Sequence, residues 1–335
     1  MRVLVLDGGG ARGLFTLEVL RYIEISCGRP IRECFDLIVG TSIGAFIAGS
    51  IVAGKTIDEM EQCCMPMLAS LGSANPSLSS AVSRLWRGHV LKGEDVERRF
   101  HEVFGDMALH DLPESPRLLM LAADARTMVP HPYLMRNRAL PEGTADRSPF
   151  ASTTSMRLVD AFRATTSAPT IYPAHVVDGI PLVDGAIITN NPALFAIAEA
   201  NLLGSSLDCI VSIGTGTLPR IPHPVVHRGI LTWTLAAIER CADSETPEML
   251  IRGMLSPSKY IRFDAPNAGT CSVWETDTQT LFRWRKGVQD YMQDQEDTLV
   301  SLVHLLFPPV QDNEDRSIPN GSGPRCPLPS GPLSE

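Results

Sequence analysis

Twice within residues 1–54 the chain passes from an apolar run through a glycine turn straight into a helix-forming segment. The first instance is "VLVLDGGGARGLFTLEVLRYIEI" (3–25) and the second is "DLIVGTSIGAFIAGSIVAG" (36–54). A strand that is apolar on both faces has to be covered on both, and a strand followed at once by a helix returns to the sheet in parallel. "RLLMLAADA" (117–125) and "LDCIVSIGTG" (207–216) supply two more such strands. These four runs predict an α/β fold in three layers, α/β/α, around a mainly parallel central sheet.

Helical spacing in the first unit places Leu14, Leu17, Leu20, Tyr22 and Ile25 on a helix. The second unit predicts a helix over 43–54 that is apolar nearly all round and therefore buried. "GEDVERRFHEVFG" (93–105) reads as an amphipathic helix with Val96, Phe100, Val103 and Phe104 on one face. Residues 65–90, rich in Ser, Pro and Gly, read as loop, and 126–156 as a second long loop. A stripe of Leu281, Trp284, Val288, Tyr291, Leu299, Leu302 and Leu306 predicts one long helix packed on the core. With 335 residues, 44% of them hydrophobic and 20% charged, the chain is long and apolar enough for one large domain. The expected organisation is 1–220 as the main unit, 221–307 as its C-terminal helical part, and 308–335 as a disordered Pro/Gly-rich tail.

A net charge of −9 argues against a nucleic-acid partner, which requires a basic surface. The eight cysteines form no CxxC pair and no metal-ligand spacing, so reduced thiols, a cytoplasmic location and no bound metal are expected. No apolar run approaches the roughly 20 residues that a membrane-spanning helix needs, so any membrane contact is expected to be peripheral.

The glycine loop "DGGGARG" contains GxGxxG, formed by Gly8, Gly10 and Gly13. Such a loop aims backbone N–H groups at one spot beside the positive end of a helix dipole, and that spot holds an anion. One reading is a dinucleotide phosphate. That reading wants an acidic residue at the C-terminal end of the second strand, where Gly40, Thr41 and Ser42 stand instead, and Asp36 lies at the wrong end. The other reading is a transient oxyanion. Gly40-Thr41-Ser42-Ile43-Gly44 is a GxSxG in which a strand turns directly into a helix, the arrangement of a nucleophile elbow. Because consecutive parallel strands end on the same edge, the loop and the serine share one crevice.

The serine needs a base. None of the eight histidines lies in a strand-end context that would make a triad, so aspartate is the alternative. "HVVDGIPLVDGAIITNNP" (175–192) offers two. Asp178-Gly179 reads as the turn of a hairpin, and Asp184-Gly185 ends the returning strand, with Asn191 capping a helix that begins at Pro192. On this reading Asp178 serves geometry and Asp184 the site. Burial would have to raise the basicity of Asp184 for it to take the serine proton.

In order, "DGGGARG", "GTSIG" and "DGA" resemble the signature of the patatin-like phospholipases, and more narrowly the catalytic domain of the calcium-independent phospholipases A. The flanks "FDLIVGTSIGAFIAG", "FRATTSAPTIYPA", "LVDGAIITNNPALFAIAEA" and "IVSIGTG" extend the resemblance over about 2–217. It implies a Ser42–Asp184 dyad, with Gly185 and Ala186 completing the DGA motif where many members have a second glycine. It also implies an oxyanion hole from Gly8, Gly9, Gly10, Ala11, Arg12 and Gly13, no cofactor, and release of a fatty acid from a glycerophospholipid without calcium. Arg12 is open to two roles, holding a phosphate headgroup or standing solvated at the helix start. Lysophospholipids, galactolipids, triacylglycerols and transacylation are alternatives that the motifs do not separate, as is a catalytically idle lipid-binding protein. "SRLWRG" (83–88), with Arg84, Trp86 and Arg87, is the expected membrane-touching segment.

Overall fold

The computed structural model describes residues 1–72, 93–144, 148, 150–169, 171–216, 244–265 and 277–308. Nine strands form one sheet among these residues: β1 Arg2–Leu6, β2 Leu37–Thr41, β3 Arg117–Asp124, β4 His131–Arg136, β5 Ala151–Thr153, β6 His175–Val177, β7 Ile180–Asp184, β8 Cys209–Ile213 and β9 Tyr260–Phe263. Their order is β5-β4-β3-β2-β1-β8-β9, with β7 on β3 and β6 on β7. The pairs β1–β2, β1–β8, β2–β3, β4–β5 and β8–β9 are parallel, and β3–β4, β3–β7 and β6–β7 are antiparallel. The fold is therefore α/β with a mostly parallel central sheet, as the four apolar runs predict.

Side-chain alternation along each strand builds the three layers. Leu4 and Leu6 of β1, Ile38 of β2 and Leu118 and Met120 of β3 join one core cluster. The helices of that cluster are α1 Gly13–Cys27, α2 Ile31–Cys34, α3 Ile43–Val52, α4 Ile57–Gly72, α5 Glu94–Phe104, α6 Leu158–Thr166, α9 Thr278–Gln293 and α10 Glu296–Leu306. Val3, Val5, Leu37, Val39, Leu119 and Leu121 point the other way, onto α7 Ala193–Leu202 and α8 Glu245–Met254. Helix α3 is buried at every position. Its Phe46 meets the rings of Phe100 and Phe162 at centroid separations of 5.2 and 5.0 Å. Burying each such ring is worth roughly 1.5–3 kcal/mol, so the element that carries the GxSxG serine stands on a rigid floor.

Several local expectations change. The 65–90 segment is not all loop, because α4 continues to Gly72. The 126–156 segment contains β4 and β5. Val103 is 37% exposed, because Val96, Phe100 and Phe104 at spacing of four already define the buried stripe and position 103 falls beside it. The predicted single helix over 281–306 breaks at Asp294 and Gln295, inside the polar run "QDQED", into α9 and α10. Both halves pack on α1 as expected, with Trp284 and Tyr291 each 6.0 Å from the Phe15 ring. The 221–307 part, expected to be helical, also supplies strand β9. Helix α7 starts at Ala193, one residue after Pro192, and Asn191 caps it by accepting the Ala193 N–H at 3.0 Å. The proposed membrane segment 83–88 and the tail from 309 lie outside the described residues.

Candidate active site

Strand β2 pairs with β3 as far as Thr41 opposite Leu121. At the next residue of β3, Ala122, the partner becomes Asp184 of β7. Two strands thus share one edge of β3 end to end, and Ser42 and Asp184 lie on either side of the seam. Ser42 Oγ donates a 2.6 Å hydrogen bond to Asp184 Oδ2. The hairpin that delivers Asp184 turns at Asp178 (φ 50°) and Gly179 (φ 77°), so Asp178 occupies the turn that its sequence position predicts.

The elbow is sterically demanding. Ser42 itself has φ 55° and ψ −125°, a left-handed conformation rare for a residue with a side chain. A Cβ on Gly40 would lie 2.4 Å from the Gly44 carbonyl oxygen, and one on Gly44 would lie 2.4 Å from the Leu6 carbonyl oxygen. Glycine on both sides is what lets α3 start directly on top of the β1 and β2 ends. The Ser42 N–H donates to Thr165 Oγ1 at 3.0 Å, and Thr165 donates in turn to the Leu121 carbonyl. Thr165, at the end of α6, therefore ties the strained elbow to β3, a role that its sequence context did not announce.

Asp184 is 4% exposed. Burial pushes its carboxyl up from 3.8 to about 6, against the pull of the Ser42 hydroxyl and of the Ala186 N–H, which donates to Oδ1 at 2.9 Å. Its own N–H donates to the Ser167 carbonyl at 3.0 Å. The Asp184 carboxylate is thus held at backbone and side chain, and burial makes it more basic than an ordinary aspartate, the condition that the sequence argument sets for a base at this position.

The glycine loop follows β1 on the same edge. A 3-10 turn, Gly10–Arg12, leads into α1, whose dipole directs its positive end toward the crevice. A Cβ on Gly8 would come within 3.3 Å of Ser42 Cβ, so loop and elbow touch. Among the described residues the Gly9 N–H heads no hydrogen bond. Arg12 is buried, not solvated, and its Nη1 donates to the Gly216 carbonyl at 2.9 Å, tying the loop to the end of β8. Asp36 pairs with Arg2 at the opposite end of the sheet, far from any ribose-binding position. His175 bonds to Asp160, and no histidine among the described residues bonds to Ser42. Sequence reasoning missed Thr165, Asn190 and Thr215; the only signal was their presence in the quoted flanks.

A family model for patatin-like phospholipase matches residues 4–197. The chain is 27% identical to phospholipase A I of Arabidopsis thaliana over 94% of its own length and 28% of that protein's. It is 24% identical to the human calcium-independent phospholipase A2-gamma over 91% of its length and 40% of the relative's. It is 32% identical to the cUMP-AMP-activated phospholipase of Escherichia coli over 74% and 75% of the two chains. The chain thus spans well under half the length of the plant and human relatives and most of the bacterial one. By the family match and by the ordered positions of its glycine loop, elbow and DGA turn, this chain belongs to the patatin-like phospholipase family.

Proposed function

We propose that the chain is a serine lipid acyl hydrolase of the phospholipase A type, releasing a fatty acid from a glycerophospholipid through a Ser42–Asp184 dyad, without calcium. The observation that carries this reading is the 2.6 Å hydrogen bond between the hydroxyl of a strained elbow serine and a buried carboxylate. Ser42 Oγ attacks the ester carbonyl carbon as its proton passes to Asp184 Oδ2. Negative charge gathers on the carbonyl oxygen, where N–H groups of the glycine loop receive it; one such donor is typically worth about 3 kcal/mol of barrier. The C–O bond to the glycerol alcohol then breaks, the alcohol leaves with the proton from Asp184, and an acyl-serine remains. Water, deprotonated by Asp184, attacks the acyl carbonyl and releases the fatty acid and the free serine. No step assigned here calls for a metal, and among the described residues no group of three or more His, Cys, Asp and Glu is placed to hold one.

The test is acyl release from a panel of phospholipids, lysophospholipids, galactolipids and triacylglycerol, with EDTA present. Release from a diacyl phospholipid that persists in chelator, together with fluorophosphonate labelling of Ser42, is the expected result. Loss of activity in EDTA would remove the metal-free mechanism, and a folded protein that neither labels nor hydrolyses would be a lipid-binding protein with an idle site.

The substrate lies in a bilayer, so the crevice edge must approach one. No helix among the described residues is long and apolar enough to cross a membrane. The turn after β3 leaves the sheet on the Ser42 edge and carries Met128 (103% exposed) and Val129 (72% exposed), with Val176 of the neighbouring hairpin 62% exposed. These three exposed apolar side chains are the proposed membrane contact. Replacing Met128 and Val129 by serine should weaken co-sedimentation with phospholipid vesicles several-fold while leaving hydrolysis of a soluble ester intact. Equal vesicle binding by the double variant would place the membrane contact elsewhere.

A further inference from the structure

The carbonyl of Gly8 is held from two directions. Asn190 Nδ2 donates to it at 3.1 Å and Thr215 Oγ1 donates to it at 3.1 Å. Both side chains are buried, Asn190 at 2% and Thr215 at 4% exposure. They come from different parts of the chain, one after the DGA turn and the other after β8, and they meet only at this oxygen. Asn190 is itself anchored: its second N–H donates to Ser244 Oγ at 2.8 Å, and its main-chain oxygen accepts the Gly8 N–H at 3.0 Å. One residue earlier, Asp7 is gripped by both Nη atoms of Arg262, at 3.0 and 2.6 Å. The fit is close enough that a Cβ on Gly8 would lie 2.4 Å from Asn190 Oδ1, and one on Gly9 would lie 2.4 Å from Thr215 Oγ1.

A trans peptide is planar, so the C=O of Gly8 and the N–H of Gly9 point in opposite directions. A glycine–glycine peptide is also the unit most free to flip, because neither residue restricts φ. Two donors on the Gly8 oxygen select one of the two flip states, the one that turns the Gly9 N–H away from Asn190 and Thr215. That N–H has no protein partner among the described residues. We propose that Asn190 and Thr215 are positioning residues that lock the Gly8–Gly9 peptide with its N–H aimed at the reacting carbonyl oxygen beside Ser42. The inference rests on the hydrolase reading above and goes beyond it by naming what keeps the oxyanion hole formed before substrate arrives. Preorganisation of this kind appears in the barrier, since the charge it serves exists only in the transition state.

The experiment measures kcat and KM for a soluble ester, and the affinity of a trifluoromethyl ketone that forms a tetrahedral adduct, in Asn190→Ala, Thr215→Val, Thr215→Ser and the Ala/Val double variant. Thermal unfolding of each accompanies the kinetics. Each of the first two should lower kcat about tenfold and the double variant by about a hundredfold or more, with KM changed less than about twofold. Affinity for the ketone should fall in parallel with kcat, and Thr215→Ser, which keeps the hydroxyl, should retain near wild-type kcat. A folded double variant with kcat within about threefold of wild type would overturn the proposal, as would a loss appearing in KM, or ketone affinity that stays constant while kcat falls. If the wild type releases no fatty acid and Ser42→Ala changes nothing, the hydrolase reading fails and takes this inference with it. An active wild type with an equally active double variant sinks the inference alone.

Discussion

Ser42→Ala and Asp184→Asn should each lower acyl release by about three orders of magnitude or more, and the double variant should be no slower than either single one. Non-additivity is the informative part. The hydroxyl and the carboxylate share one proton across 2.6 Å, so removing either leaves nothing for the other to activate or accept. Residual turnover would come from the glycine loop and from substrate binding, which both variants keep. Asp178→Asn is the control. It sits at φ 50° in the hairpin turn, a conformation that asparagine tolerates, so its activity should be near wild type. Single-turnover acyl release by the three folded variants decides the matter. An inactive Asp178→Asn beside an active Asp184→Asn would transfer the base to the wrong end of the hairpin and remove the mechanism.

The second large effect concerns pH. Asp184 must be ionised to take a proton, and burial holds its carboxyl near 6 instead of 3.8, so kcat/KM should rise through an inflection at about pH 6 and level off above it. Stability should move in the opposite sense. A group whose folded-state pKa is raised binds its proton more tightly in the native state. Its stabilising contribution is therefore complete below 3.8 and is lost as pH rises through 6. At pH 8 the ionised carboxylate weakens the fold by up to ~3 kcal/mol relative to a neutral group in its place. Asp184→Asn should therefore unfold at higher urea than wild type at pH 8 and at nearly the same urea at pH 4. A variant with no pH-dependent gain would show that the site does not hold a destabilised charge. In this reading the enzyme keeps a strained serine and an uncomfortable carboxylate side by side, and reactivity is what the strain supports.

Local chemistry made the strand–turn–helix units readable. The runs at 3–7 and 36–40 are apolar and the glycines follow at once; the first helix that comes next shows helical spacing, though Ile25 at its end is 50% exposed, and the second is apolar on nearly every side. Strand β9 was not readable, since "YIRF" is short and contains an arginine. In the fold, the side chain of Arg262 is 2% exposed and ion-paired to Asp7 and Asp264, partners that a linear reading cannot supply. Strand β4 was hidden for a similar reason: Arg136 looks like a surface residue, yet it forms a buried two-point pair with Glu199 at 2.7 Å for each contact, while β5 is only three residues, Ala-Ser-Thr, with no apolar pattern to read. Ser42 and Asp184 were legible as motif residues, but their meeting depends on where β7 joins β3. Thr165, Asn190 and Thr215 are ordinary polar residues whose contribution lies in which backbone atom they reach, and spacing along the chain carries no trace of that.

The end-to-end seam on β3 makes the Ser42–Asp184 distance a matter of register. Hairpin β6–β7 pairs with β3 at Ala122–Asp184, Ala123–Val183 and Asp124–Leu182, and the Ala125 N–H just past β3 donates to the Pro181 carbonyl at 2.9 Å. A slip of one position would carry the carboxylate about 3.3 Å along the strand and turn it to the opposite face of the sheet. The same slip would turn the buried Leu182 out of the core cluster, so one register sets both the packing of the hairpin and the meeting of Ser42 with Asp184. The tight Asp178-Gly179 turn thus works as a ruler: by fixing the length of the returning strand, it measures out the position of an atom six residues further on.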